Sequence, residues 1–363
     1  MELCDNMETL IFRNLEEVIG HDLLKSKLEA GKTLLCYIGF APTGQVHVGY
    51  LVPCMKIRDL TLAGCNVAIM IADVHAILDE RKTPSHLVEL RSDYYRLIIT
   101  KILEMLGANL NHVKFIKGSE FQLNGDYSMD VLELASRVTV SAARKAGTEV
   151  VKQSKELKLG SAIYPVMQAV DENYVGQMTF GHQADMELGG IDQRKIFCFS
   201  RDWDRKINDA TISYLMNPIL SLTKPKGLLN KMSSSDPNGK ITFYDTDELI
   251  ASKIKKAFCC DGDPDCGLMK LMKCVFFPLK VPFFDNNTIT EVICVTLDCG
   301  KVLMYTEYEQ FEDDFKKGVF VAQHVKQTII ELLYDVIDPI RQYINSEEII
   351  HLISQAYPPE DIL

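Results

Sequence analysis

Three groups of residues have types and spacings suited to chemistry. The first is Ala41-Pro42-Thr43-Gly44-Gln45-Val46-His47-Val48-Gly49-Tyr50. Gly44 and Gly49 let backbone approach a ligand closely. The chain that follows reads as a helix, whose N-terminus favours phosphate. His47 could donate a hydrogen bond to a phosphoryl oxygen as charge develops there. The second is Lys231-Met232-Ser233-Ser234-Ser235, in a loop that also holds Lys224-Pro225-Lys226-Gly227. Lysine is a mobile point charge suited to a leaving pyrophosphate, and hydroxyls can donate to phosphate or cap the next element. Taken singly, His47 also reads as a structural histidine and the pentapeptide as a solvated turn.

The third group is Tyr164-Pro165-Val166-Met167-Gln168-Ala169-Val170-Asp171. On a helix, residues at i, i+4 and i+7 share a face, so Tyr164, Gln168 and Asp171 point the same way. The stripe is interleaved with Val166, Met167, Ala169 and Val170, so the segment reads as buried. Buried Gln and Asp side chains need partners. Gly189-Gly190-Ile191-Asp192-Gln193-Arg194-Lys195 follows and adds a further amide.

Elements must hold these groups in place. Leu34 to Gly39 reads as a short buried strand, broken by Ala41-Pro42-Thr43-Gly44. Apolar residues recur at helical spacing from His47 to about Ala63, with Gly64 at the C-cap. Asn66 to Ala72 is a second strand and Val113 to Lys117 a third. Between them Thr83 reads as a helix cap and Pro84 as the first helical residue, with Leu87, Leu90, Tyr94, Leu97 and Ile98 on one face. This order argues for a parallel sheet with helices on its faces. The first signature then lies at the carboxyl end of a strand, where open α/β sheets bind nucleotides. After about residue 245 the texture turns helical, over Asp245 to Phe258, Cys266 to Phe276 and Val319 to Ile344. The boundary is expected near Pro237-Asn238-Gly239, a turn-forming run.

Composition sets the class. The chain has 363 residues, of which 47% are hydrophobic and 25% charged, the balance of a soluble globular protein with two domains. No apolar run is long enough to span a bilayer. The acidic start, Met1-Glu2-Leu3-Cys4-Asp5, does not read as a secretory signal. Eleven scattered cysteines read as reduced thiols, including Cys259, Cys260 and Cys266 in an Asp/Gly/Pro loop; no metal site is expected. The net charge of −11 requires any nucleic-acid-binding face to be local.

The paired signatures resemble the "HIGH" and "KMSKS" motifs of class I aminoacyl-tRNA synthetases. Here they read His47-Val48-Gly49-Tyr50 and Lys231-Met232-Ser233-Ser234-Ser235, with Tyr50 in place of the final histidine. With the Tyr164–Asp171 segment the chain resembles the archaeal and eukaryotic tyrosyl-tRNA synthetases, from Arg13-Asn14-Leu15 to Asp338-Pro339-Ile340-Arg341. That resemblance implies a Rossmann-like parallel-sheet catalytic domain over 1–237, with a helical connective insertion at about 120–160 and the signature loop at 224–236. An α-helical anticodon-binding domain is implied over 238–363. It implies activation of L-tyrosine by ATP with Mg²⁺ and transfer to tRNA(Tyr), in a cytoplasmic homodimer with no tightly bound cofactor. Catalytic roles fall on His47, Gly49, Lys231, Ser233 and Ser234. ATP contacts fall on Gly39, Thr43, Gly44, His47, Gly49, Lys231 and Met232. Tyr37 and Asp171 are assigned to the substrate phenol, and Tyr164, Gln168 and Gln193 to its amino-acid end. In relatives the insertion helps form the dimer and meets the tRNA acceptor end, so Arg144, Lys145 and Lys152 become phosphate contacts, equally readable as a solvated basic face.

The sequence departs from its relatives in two places. Between Tyr174 and Asp185 it carries about seven more residues, read as a longer loop. The aspartate and aromatic ring that relatives use on the first anticodon base fall on His324 and near Cys299. Three other readings stay open. A tryptophanyl-tRNA synthetase shares the fold, but Tyr37 with Asp171 and the Gly-Gly-Ile-Asp-Gln run favour tyrosine. A catalytically weak tRNA-binding paralogue is supported by the altered anticodon positions and opposed by His47, Lys231 and the pocket residues. A small-molecule nucleotidyltransferase does not explain the helical C-terminal domain.

Overall fold

The computed structural model describes residues 2–79, 83–151, 158–207, 212–223, 239–280 and 292–358. Compactness divides the chain into two units. The first comprises Met1–Gly44, Lys56–Asn217 and Glu347–Leu363, and the second Gln45–Met55 and Pro218–Ser346.

The first unit is built on six strands: β1 (Glu17–Ile19), β2 (Leu35–Phe40), β3 (Asn66–Ile71), β4 (Val113–Lys117), β5 (Met186–Gly190) and β6 (Ser213–Asn217). Their spatial order is β1-β6-β5-β2-β3-β4. All neighbours are parallel except β1, which runs antiparallel to β6. The strands β2, β3 and β4 step outward in one direction, and the chain then returns to lay β5 on the other side of β2. The switch point between β2 and β5 is where an open α/β sheet leaves a crevice for ligands.

The helix Leu159–Phe180 packs across β2, β3 and β4. It buries Val166, Met167, Val170 and Val175 in the core formed by Leu35, Tyr37, Ala68, Met70, Phe197, Tyr214 and Met216. Each such apolar side chain stabilises the fold by about 1.5–3 kcal/mol. The residues expected to form a long loop after Tyr174 instead continue this helix to Phe180. The reason is packing: Val175 and Gly176 are buried, and Lys114 Nζ donates to Thr179 O at 2.9 Å.

The entrance to the helix Val88–Leu106 also differs from expectation. Pro84 is followed by a 3₁₀ turn, Ser85–Leu87, and no side chain caps it. Thr83 is not the cap, because its hydroxyl donates to Pro42 O at 2.9 Å. The turn after β2 is the better partner for a buried hydroxyl.

The last helix, Glu347–Ala356, joins the first unit rather than the helical C-terminal one. It packs on Val88–Leu106, where Arg91 Nε donates to Ala356 O at 2.9 Å and Tyr94 and Tyr357 meet edge-on at 5.2 Å. Amphipathic spacing alone does not say which unit a terminal helix joins. The division after Asn217 precedes the expected boundary at 237/238, which lies outside the described residues.

The second unit is mainly helical. Its longest helix, Ala322–Ile344, buries Val325, Ile329, Leu333, Val336, Ile337, Ile340 and Ile344 along one stripe and packs on Asp247–Lys256. A hairpin of β7 (Ile293–Thr296) and β8 (Val302–Tyr305) lies against it and is absent from the sequence-based expectation. No described helix is long and apolar enough to cross a membrane.

Gly176 gives a direct test of the extended helix. A Cβ there would lie 2.6 Å from Ala184 N and from His182 O. In an open helix Gly→Ala gains about 1 kcal/mol, but Gly176→Ala is expected to lose roughly 1–3 kcal/mol to this clash. The urea midpoint reads the sign: a value at or above that of the unsubstituted chain would show that the 182–184 turn is not packed as described.

Candidate active site

Six expected residues converge on one pocket in the first unit. It is lined by Tyr37, Gly39, Tyr164, Gln168, Asp171 and Gln193, together with Ala41, Met70, Ala72, His75 and Glu187. Tyr37 and Gly39 come from β2, and Tyr164, Gln168 and Asp171 from one face of Leu159–Phe180. Gln193 ends the turn Ile191–Gln193 after β5. Gly189 makes this turn possible, because a Cβ there would sit 2.6 Å from Phe197 and 3.0 Å from the Gln193 amide.

Asp171 is fully buried. Its Oδ1 accepts from Gln122 Nε2 at 2.7 Å and from the Tyr127 hydroxyl at 2.8 Å. Its Oδ2 has no hydrogen-bond partner, and lies 3.6 Å from His75 Nε2. Burial pushes this carboxyl up to about 7, against the two donors that favour the charged form. His75 is pushed down to about 4 by the same burial, so its ring is neutral. The Tyr37 hydroxyl closes no hydrogen bond of normal geometry. Burial, and then the Glu187 charge, raise its pKa well above that of a free phenol. An acceptor oxygen and a hydroxyl are thus left open in a buried place, where an unmade hydrogen bond costs about 1–3 kcal/mol.

At the other side, Gln168 Nε2 donates to Gln193 Oε1 at 2.8 Å and to Glu187 Oε1 at 2.9 Å. Tyr164 stands edge-on to His75 at 4.5 Å. Among the described residues no lysine or arginine lines the pocket. With two carboxyls and no cation among the described residues of its wall, it suits a ligand that carries a positive group as well as a hydroxyl.

Gln122, Tyr127, His75 and Glu187 were not singled out from the sequence. Gln122 and Tyr127 follow β4 on two short helices, Ser119–Gln122 and Gly125–Arg137, and no spacing rule ties them to Asp171. Glu187 did carry a signal: a charged residue between Met186 and Leu188 in an otherwise apolar strand.

The first signature makes separate contacts within each unit. In the first unit the Thr43 carbonyl accepts from Arg91 Nη1 at 2.8 Å. The Gly44 carbonyl accepts from the hydroxyls of Tyr95 and Tyr357 at 2.6 and 3.1 Å. In the second unit His47 forms an antiparallel bridge with Thr242, and Val48 N donates to Ile241 O at 2.9 Å. Residues just after the lysine–serine loop are thereby tied to the histidine segment. His47 Nδ1 accepts from Gly49 N at 3.1 Å, so a neutral ring carries its proton on Nε2. Lys231, Met232, Ser233 and Ser234 lie outside the described residues, as does Lys152.

Arg144 and Lys145 are exposed on the helix Val140–Ala146. The His324 ring closes the start of Ala322–Ile344. Its Nδ1 accepts from Val321 N at 3.2 Å, and its Nε2 lies 3.4 Å from Asp298 Oδ1. Cys299 is exposed beside that aspartate. Among the described residues no group of three or more His, Cys, Asp or Glu could hold a metal ion.

Comparison with known proteins agrees with this geometry. The family described as tRNA synthetases class I (W and Y) matches residues 29–335. The cytoplasmic tyrosine–tRNA ligase of Gallus gallus is 41% identical over 350 residues, 96% of this chain and 63% of that protein. The chain therefore spans less than two thirds of that relative's length. A probable cytoplasmic tyrosine–tRNA ligase of Encephalitozoon cuniculi is 37% identical, covering 96% of this chain and 97% of that protein. The crystal structure of tyrosyl-tRNA synthetase complexed with L-tyrosine from Archaeoglobus fulgidus matches with a TM-score of 0.80 and 29% identity. That match covers 95% of this chain and all of the other. The fold, the pocket and these matches together place the chain in the tyrosyl-tRNA synthetase family, among the class I tRNA synthetases.

Proposed function

We propose that this chain is a tyrosine–tRNA ligase that activates L-tyrosine with magnesium–ATP and transfers the tyrosyl group to the 3′ end of tRNA(Tyr). One observation carries the amino-acid assignment: the buried Asp171 Oδ2 beside Tyr37 and His75, waiting for a donor. A phenol O–H satisfies that oxygen, whereas phenylalanine leaves it unpaired. The resemblance of Asp171, Tyr37, Tyr164, Gln168 and Gln193 to the tyrosine pocket of archaeal and eukaryotic relatives favours tyrosine over tryptophan.

In the first step a tyrosine carboxylate oxygen attacks the α-phosphorus of ATP. The bond to the bridging oxygen of the β-phosphate breaks, and magnesium-bound pyrophosphate leaves. In the second step a ribose hydroxyl of the tRNA attacks the activated carbonyl and adenylate leaves. Neither step needs a protein nucleophile, so positioning and charge stabilisation do the work. We assign the phosphates to His47, Lys231, Ser233, Ser234 and the backbone around Gly44 and Gly49, and tRNA phosphates to Arg144, Lys145 and Lys152. Cytoplasmic placement follows the names of the relatives. A homodimer through the insertion is supported by Leu123, Met129, Leu132 and Val140, large apolar side chains exposed over one stretch of chain.

Four measurements test this reading. Tyrosine-dependent ATP–pyrophosphate exchange, followed by tRNA charging, is expected to be positive; exchange driven by tryptophan instead would reject it. His47→Ala should slow adenylate formation at least about a hundredfold with tyrosine affinity unchanged, and exchange at the original rate would remove His47 from the mechanism. Leu132→Glu combined with Met129→Glu should give monomers by light scattering; a persistent dimer would place the interface elsewhere.

The pH dependence of stability tests the pocket electrostatics. Asp171 at about 7 and Glu187 at about 8 lie above their unfolded values, raised by burial. Their contribution is full below about pH 4 and is lost as pH rises through 7 and 8. His75, lowered to about 4, contributes above about pH 6.5 and loses that as pH falls. The two trends oppose below pH 6.5, so the clear window lies above it. Ligand-free melting temperatures are expected to fall from about pH 6.5 to 8.5, and Asp171→Asn should flatten that fall. An unchanged slope in the variant would show that Asp171 is not the group being ionised.

A further inference from the structure

The wall of the pocket holds a carboxyl to which the tyrosine reading gives no task. Glu187 is 2% exposed on β5, between the buried Met186 and Leu188. Its Cα is in register with Tyr37 on β2 and with Tyr214 on β6. Asp171 and Glu172 face it from the helix Leu159–Phe180. Burying a carboxyl is costly unless it is hydrogen-bonded, and leucine or methionine would fill the space at no such cost.

What Glu187 does is visible in its partner. Its Oε1 accepts from Gln168 Nε2 at 2.9 Å, and the same nitrogen donates to Gln193 Oε1 at 2.8 Å. A primary amide has two N–H donors and one oxygen. Both donors of Gln168 are therefore committed, and what remains for a ligand is its carbonyl oxygen. Gln193 alone cannot enforce this. Two facing amides can each turn over, exchanging donor and acceptor, and the two arrangements are nearly equivalent. A carboxyl oxygen breaks the tie. Glu187 Oε1 is placed to accept from Gln168, and Oε2 makes no bond to it. Turning Gln168 over would then set its oxygen against two acceptor oxygens.

We propose that Glu187 is a positioning residue for amino-acid recognition: it locks the Gln168 amide so that its carbonyl oxygen is presented to the ammonium group of the substrate. This rests on the tyrosine reading above. It explains why the pocket carries a second buried carboxyl bonded to an amide. It also separates two tasks: Asp171 selects the phenol, and Glu187 acts through Gln168 on the amine.

The test uses two ligands that differ only in that amine. Tyramine and 4-ethylphenol share the phenol and the two-carbon arm, and their affinities are measured by calorimetry or competition on the full chain. Glu187→Met, similar in length but without an acceptor oxygen, is expected to weaken tyramine about tenfold, the scale of a lost hydrogen bond to a charged group. It should leave 4-ethylphenol unchanged. Glu187→Gln, which keeps an oxygen for Gln168, should restore tyramine binding. A Glu187→Met variant that weakens both ligands equally, or neither, overturns the proposal and leaves the tyrosine reading standing. Failure of the unsubstituted chain to bind either phenol overturns the tyrosine reading and this inference together. If Glu187→Met does not fold, Glu187→Thr carries the same comparison, because its hydroxyl is too short to reach Gln168 and threonine suits a strand.

Discussion

The site depends on one buried carboxyl that is only half satisfied. Asp171 receives two hydrogen bonds on Oδ1 and none on Oδ2. Leaving a buried acceptor unpaired costs more than a typical hydrogen bond contributes. The surrounding structure has to hold it there. The Leu159–Phe180 helix carries it, the parallel sheet fixes the helix, and the short helices after β4 bring Gln122 and Tyr127 to its other oxygen. Each element is ordinary in itself. Their meeting converts a local cost into a preference for a ligand with a hydroxyl.

The pocket around it is electrically one-sided. Among the described residues, two carboxyls, a neutral imidazole and two amides line it without a basic side chain. Burial raises both carboxyls toward neutral pH, Glu187 further than Asp171, so the two are not both fully charged there. An amino acid with a phenol at one end and an ammonium at the other meets donors and acceptors in the sense it needs. Water in the same space could satisfy some of these groups, but not both ends with one rigid body. That rigidity is the gain, since ordering one molecule costs less than ordering several.

The nucleotide signature is held by a different principle. Its carbonyls at Thr43 and Gly44 accept from Arg91, Tyr95 and Tyr357. The histidine segment is bridged to Ile241 and Thr242. These bonds fix the backbone of the segment at both of its ends, and chemistry by positioning requires a fixed backbone.

Much of this could be read from the sequence, for physical reasons. Helix and strand periodicity placed Tyr164, Gln168 and Asp171 on one face, and the strand–turn–helix order placed His47 beyond a strand end, because both patterns are local. Tyr37 and Gln193 came from resemblance to relatives. Local rules failed where a partner distant in the chain decided the outcome. Thr83 bonds Pro42 instead of capping its helix, the residues after Tyr174 stay helical because Gly176 fits the 182–184 turn, and the last helix joins the first unit through Arg91 and Tyr94. The sequence by itself determined which polar side chains share a helix face and which family the chain resembles. Only the tertiary structure decided that Gln122 and Tyr127 hold Asp171 and that Glu187 fixes Gln168. Hydrogen-bond direction is a property of groups brought together from separate elements, and no spacing along the chain encodes it.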